Sequence, residues 1–92
     1  MYKIIWSGRS WEEYTSWQTE DKKTLRRINE LIKDIEQNGC LDGKGKPEAL
    51  KYRLSGWYSR HIDEVNRLVY RIREYDGEKA LEISQCKNHC DD

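Results

Sequence analysis

The sequence predicts an α+β domain of two layers, in which a helix hairpin packs on a mainly antiparallel sheet. Three observations predict it. Between residues 25 and 35, apolar side chains recur at steps of three and four, the period of a helix with one buried stripe. After residue 47 the period shortens to two, the period of strands. Within that stretch Asp76-Gly77 interrupts the alternation with the dipeptide that suits a tight hairpin turn.

Residues 2–6 are rich in β-formers and read as a first strand, ended by Ser7-Gly8. Ser10-Trp11-Glu12-Glu13 matches a capping box, so a helix is expected from about Trp11 to Trp17. Trp11, Tyr14 and Trp17 would share one of its faces. A longer helix is expected from Asp21 to Gln37, with Leu25, Ile28, Leu31, Ile32 and Ile35 as its stripe and Asn38-Gly39 as its stop. Residues 39–47 hold three Gly and the only Pro and read as a loop. Leu50, Tyr52 and Leu54 then alternate with Lys51 and Arg53 as a strand. Further strands follow over Trp57–Ile62, around Leu68–Arg73, and from Leu81 to Gln85. The expected order is β-α-α-β-β-β-β, with one strand fewer if 50–54 stays unpaired, in a single domain spanning residues 1–92.

Composition narrows the function. Charged residues are 37% of the chain, hydrophobic residues 36%, and the mean hydropathy is -1.08. No apolar run approaches the roughly 18 residues of a membrane span, and the apolar part of Met1–Trp6 is too short for a secretory signal. A cytoplasmic protein without a membrane partner is expected. The three cysteines, Cys40, Cys86 and Cys90, are an odd set that fits reduced thiols better than a disulfide framework. Seventeen basic and 17 acidic residues cancel, unlike a generic nucleic-acid binder. Residues 43–74, however, carry eight basic against four acidic side chains, so an anionic partner should meet the middle third.

Several residues there bear chemistry. Glu48 follows a Gly-rich basic loop and could act as a base beside a bound phosphate; the ordinary alternative is a solvated carboxylate. Arg67 offers a rigid donor fork for phosphate, or a surface ion pair. His89 could be a general acid, or an exposed tail histidine. Lys44, Lys46, Lys51, Arg53 and Arg60 could track a nucleic-acid backbone, or form a solvated polar face. Cys86-x-x-His89-Cys90 lacks the paired ligand motifs of a structural zinc site, so no metal is assigned.

Taken together, these segments resemble the YoeB family of toxins in the RelE/ParE superfamily. The carrying stretches are Ile5-Trp6-Ser7 with Trp11, Tyr14 and Trp17-Gln18; Arg27 to Asp34; Gly43-Lys44-Gly45-Lys46-Pro47-Glu48 with Leu50-Lys51; Leu54-Ser55-Gly56 with Ser59-Arg60; Asn66-Arg67-Leu68-Val69-Tyr70; and His89. The resemblance implies the toxin half of a type II toxin–antitoxin pair, a ribosome-dependent endoribonuclease that cuts mRNA in the A site without a metal or other cofactor. By that likeness Glu48 is the base, Arg67 the transition-state cation and His89 the acid. Lys51 and Arg60 lie where basic residues meet RNA. The chain departs from the family at His61, where an Arg is usual, at Val65, where a Glu is frequent, and at Cys90, where a Tyr usually helps hold RNA. Asp91 and Asp92 add negative charge beside it. The departures at Val65, Cys90 and the acidic tail support an alternative, a catalytically weak homologue that binds its antitoxin and helps repress its operon. The implied partners are a YefM-like antitoxin, the ribosome with its mRNA, operator DNA only through the antitoxin complex, and a second copy of the chain as a homodimer. A gyrase-poisoning relative on the same fold would have no need of the base, cation and acid.

Overall fold

A computed structural model describes residues 2–89. Strand β1 (Lys3–Trp6) leads into helix α1 (Gly8–Glu20) and helix α2 (Lys22–Asn38). Strands β2 (Glu48–Ala49), β3 (Tyr58–His61), β4 (Arg67–Tyr75) and β5 (Glu78–Gln85) follow, with a single 3-10 turn over Tyr52–Leu54. The sheet order is β1-β5-β4-β3-β2, antiparallel except for the parallel pairing of β1 with β5. This is the expected two-layer α+β arrangement. Among the described residues no helix is long and apolar enough to cross a membrane.

The two helices are joined by one residue. The Asp21 N–H donates to the Trp17 carbonyl at the end of α1, and its carboxylate accepts from the Lys23 and Thr24 N–H groups at the start of α2. The Thr24 hydroxyl and backbone bonds hold the Asp21 pKa below its ordinary value. The stripe of α2 lands as expected: Ile28, Leu31, Ile32 and Ile35 are buried against Leu68, Tyr70, Leu81 and Ile83 of the sheet. Gly39 ends α2 at φ 86°, and Asp76-Gly77 turns the β4–β5 hairpin with both residues at positive φ.

Three local expectations are corrected. The cap of α1 is Ser7, not Ser10: Ser7 Oγ accepts the Ser10 N–H, while Ser10 is buried and its hydroxyl donates to the Ile83 carbonyl at 2.7 Å. The carboxylate of Glu13 accepts the Cys86 N–H instead of closing a box. Trp11, Tyr14 and Trp17 do not share one face. Each three-residue step falls about 60° short of a full turn, so Trp11 and Tyr14 cluster on Trp6 while Trp17 enters the core and donates to the Cys86 carbonyl. Finally, 50–54 is not a strand. Leu50 is buried, but Tyr52 takes φ 55° and lies exposed in the 3-10 turn, so the alternation reflects a turn with one inward anchor. The strand that pairs with β3 is Glu48–Ala49.

Arg60 was expected at an RNA-facing surface; it is 0% exposed. All five of its N–H donors are used inside the protein. Nε donates to the Tyr70 hydroxyl, Nη1 to Asp34 and the Lys44 carbonyl, and Nη2 to the Gly39 and Asp42 carbonyls. The Lys44 N–H also donates to Asp34; this bond and the guanidinium outweigh desolvation and hold the Asp34 carboxyl below its usual range. The loop glycines serve this knot. A Cβ on Gly43 (φ 113°) would stand 1.9 Å from Asp34 Oδ2, and one on Gly45 would stand 3.0 Å from the His61 carbonyl.

Removing the guanidinium leaves a buried carboxylate without its counter-charge. Arg60→Ala should therefore cost about 3–5 kcal/mol of stability, read as a lowered denaturation midpoint in urea. Arg60→Lys should recover only part of the loss, because an ammonium cannot reproduce the planar fork.

Candidate functional site on the outer sheet face

Leu68 and Tyr70 of β4 point into the helix-side core, so Arg67, Val69 and Arg71 point to the other face. Cross-strand pairing brings further residues to that face. His61 stands opposite Arg67, Ser59 opposite Val69, and Glu48 opposite Ser59. Two candidates far apart in sequence, Glu48 and Arg67, thus sit on one surface through the register of β3.

The short strand β2 carries Glu48 because the Gly43–Pro47 loop closes over Arg60 just before it. The Gly45 carbonyl accepts the His61 N–H at 2.6 Å, which ties the loop to the far end of β3. Glu48 itself is exposed. Arg67 is half-buried, and Nη1 donates to the carbonyls of Asp63 (2.8 Å) and Asn66 (3.2 Å). That turn is held by Asp63, whose carboxylate accepts the Val65 and Asn66 N–H groups at 2.8 and 2.6 Å. Burial works against the Asp63 charge, but these bonds and nearby Arg67 outweigh it and keep its pKa low. Val65, where the resemblance leads one to expect a Glu, is 54% exposed. The main chain of the turn orients Arg67 instead.

His61 reports the surrounding charges. Its pKa is pushed below the ordinary value first by burial, then by Arg67 and Lys46, with a further push from His89; Glu48 alone acts in the opposite direction. Lys46, Glu48, Arg67 and His89 therefore all bear on one imidazole. His89 follows β5 on a segment laid beside Arg67, whose N–H donates to the Asn88 carbonyl at 3.0 Å. The arrangement gathers an exposed carboxylate, a guanidinium and two imidazoles. That set can take a proton, stabilise an anion and return a proton.

The remaining candidates divide. Lys44 turns to helix α2, with Nζ 3.8 Å from Glu30. Arg53 lines a cavity of about 270 Å³ together with Arg9, Leu54, Ser84 and Gln85. Lys51 is exposed just after β2. Arg60 belongs to the interior. Cys90 lies outside the described residues. Cys86 is buried, and desolvation pushes its thiol up to about 12, so it lies in the core and not at a reactive surface. Among the described residues no group of three or more His, Cys, Asp or Glu could hold a metal ion.

Sequence reasoning missed Gln85, Asn66 and Asp63 as supports of the site. No local signal marks Gln85: in sequence it continues the alternation of Leu81 and Ile83, but the shift in register after Ile83 sets it opposite Val69. For Asp63 the signal was an Asp two and three residues before the amides it accepts, the pattern of an Asx-type turn.

Comparison with known proteins identifies the family the chain resembles. A family model described as the YoeB-like toxin of bacterial type II toxin–antitoxin systems matches residues 6–90. The chain is 47% identical over 87 residues to Toxin YoeB of Escherichia coli K12, covering 95% of this chain and 98% of that protein. Among solved structures it is similar to a YoeB/ParE toxin from Agrobacterium tumefaciens, with a TM-score of 0.89, 36% identity and coverage of 96% and 99% of the two chains. It is also similar to a chain of the heterotetrameric YoeB–YefM toxin–antitoxin complex from Staphylococcus aureus, with a TM-score of 0.85, 43% identity and coverage of 98% and 99%.

The charges around His61 can be read without any activity assay. In a proton NMR titration its midpoint should fall below the ordinary value of about 6.5. Glu48→Gln should lower it further, and Arg67→Met should raise it. Unfolded protein takes up this proton first as the pH drops, so the His61 contribution to stability should decline from about pH 6.5 down to the folded midpoint.

Proposed function

The chain belongs to the YoeB-like toxins of bacterial type II toxin–antitoxin systems, and we propose from that premise that it is an endoribonuclease that cuts mRNA on the ribosome. The observation that supports the reading is that Glu48, His61 and Arg67 share one sheet face through the register of β3, and that the segment carrying His89 is bonded to the Arg67 backbone. Cleavage of RNA without an external nucleophile needs a base, a cation and an acid in one place.

Glu48 takes the proton of the ribose 2′-OH. The 2′-oxygen attacks the adjacent phosphorus, and Arg67 stabilises the negative charge that develops on the non-bridging oxygens. The bond from phosphorus to the 5′-oxygen breaks, and His89 donates a proton to the leaving oxygen. The products are a 2′,3′-cyclic phosphate and a 5′-OH. His61, with its pKa lowered, is largely neutral at pH 7, so it adds a hydrogen-bond donor beside Arg67 without a second full charge. The uneven basic surface fits a partner that already holds the RNA, and the ribosome is that partner.

A YefM-like antitoxin is the proposed protein partner, on the strength of the likeness to the Staphylococcus aureus complex. In that complex the operator would be reached through the antitoxin. The co-repressor alternative shares this binding and differs only in lacking cleavage.

Primer extension on mRNA in a reconstituted translation system should show cuts at A-site codons with the native protein. Glu48→Gln and His89→Ala should each reduce the cleavage rate by about 10²- to 10⁴-fold while leaving the fold and antitoxin binding intact. Absence of cuts from a folded, antitoxin-binding native protein would move the chain to the co-repressor reading.

A further inference from the structure

We propose that Gln85 is a positioning residue for His89, holding the segment after β5 in the conformation that presents the imidazole to the site. The inference rests on the ribonuclease reading for the role of His89, but the geometry behind it does not.

Gln85 stands opposite Val69 at a shift in register, because Ile83 pairs with Tyr70 and Ser84 between them has no opposite number. An extra residue of this kind re-aims the side chain next to it. Gln85 is 5% exposed. A buried amide needs partners, since burying it without them is costly. It finds them in three consecutive carbonyls of the following segment: Nε2 lies 3.1 Å from the Lys87 oxygen, 3.3 Å from that of Asn88 and 2.9 Å from that of His89. Its two N–H bonds are shared among the three oxygens. The carbonyls are thereby gathered on one point, and the chain is curled around the amide.

Other contacts hold the start of the segment. Cys86 is bound by Glu13 and Trp17 of α1, and Lys87 lies over the Trp17 ring and reaches Glu20. Asn88 is tied to the turn that orients Arg67: its N–H donates to Asn66 Oδ1 at 2.7 Å, and its carbonyl accepts the Arg67 N–H. Asn88 adopts φ 67°, a left-handed conformation that must be held by its surroundings. Among the described residues the Gln85 amide is the anchor that reaches His89 itself. One side chain thus couples the placement of the proposed acid to the strand register, through the turn that also carries the cation.

The test uses Gln85→Met, which keeps length and removes both donors, and Gln85→Glu, which keeps shape and turns a carboxylate toward the carbonyls. Two readouts are taken on the full chain: steady-state mRNA cleavage on programmed ribosomes, with kcat and KM separated, and 15N relaxation of the His89 amide. Both variants should lose about 10- to 100-fold in kcat with KM unchanged, as expected when a reacting group is misplaced by about an ångström. The His89 order parameter should fall from about 0.85 to below about 0.6, while His61 stays rigid. Gln85→Met combined with His89→Ala should cut no more slowly than His89→Ala alone. Retained cleavage and a rigid His89 in both variants would overturn the proposal, and so would loss of the fold in both, which would assign Gln85 to stability. If His89→Ala proves fully active, the acid role fails; the relaxation data still decide whether Gln85 holds the segment.

Discussion

The guanidinium of Arg60 is the constraint that joins α2, β4 and the 39–44 loop. It bonds to α2 through Asp34, to β4 through Tyr70, and to the 39–44 loop through three carbonyls. A buried charge of this kind is tolerable only when every donor is met. Meeting them forces the loop to wrap tightly, and the wrapped loop delivers Glu48 to the edge of β3.

Much of the architecture could be read from the chain. Periodicity located α2, β4 and β5, and Asn38-Gly39 and Asp76-Gly77 located two of the turns. These features are local, and their physics is carried by neighbouring residues. The errors came where a distant contact overrode a local pattern. Ser10 looks like a cap until the Ile83 carbonyl claims its hydroxyl. Leu50, Tyr52 and Leu54 alternate like a strand, yet only Leu50 turns fully inward. Nothing beside Arg60 in sequence announces that its counter-charge is Asp34, 26 residues away. For the site, family likeness singled out Glu48, Arg67 and His89, but it said nothing of the register that brings Glu48 and Arg67 together or of the amide beneath His89.

The same comparison changes the meaning of the basic middle third. Counting from the sequence treats its eight cations as one surface. The fold distributes them. Arg60 is enclosed, Lys44 faces Glu30, and Arg71 lies against Trp57 with its Nε 2.5 Å from Glu82. Lys46 and Arg67 are the cations that act on His61, close to where phosphate charge would develop. Such a surface orients an anion at one point more than it gathers polyanions from a distance.

The parallel pairing of β1 with β5 has a consequence for how the molecule comes into being. Strand β5 lies between β1 and β4, and it supplies Leu81 and Ile83 to the core. During synthesis the first strand therefore waits, with its future neighbour still unmade, until residues 78–85 have emerged. The helices are complete long before, but their apolar stripe has no full sheet to cover it. Long-range closure of this kind makes assembly a late event in the life of the nascent chain. A growing chain of this protein carries the proposed base and cation well before it carries the scaffold that aligns them, so the making of the polypeptide and the arming of its surface are separated in time.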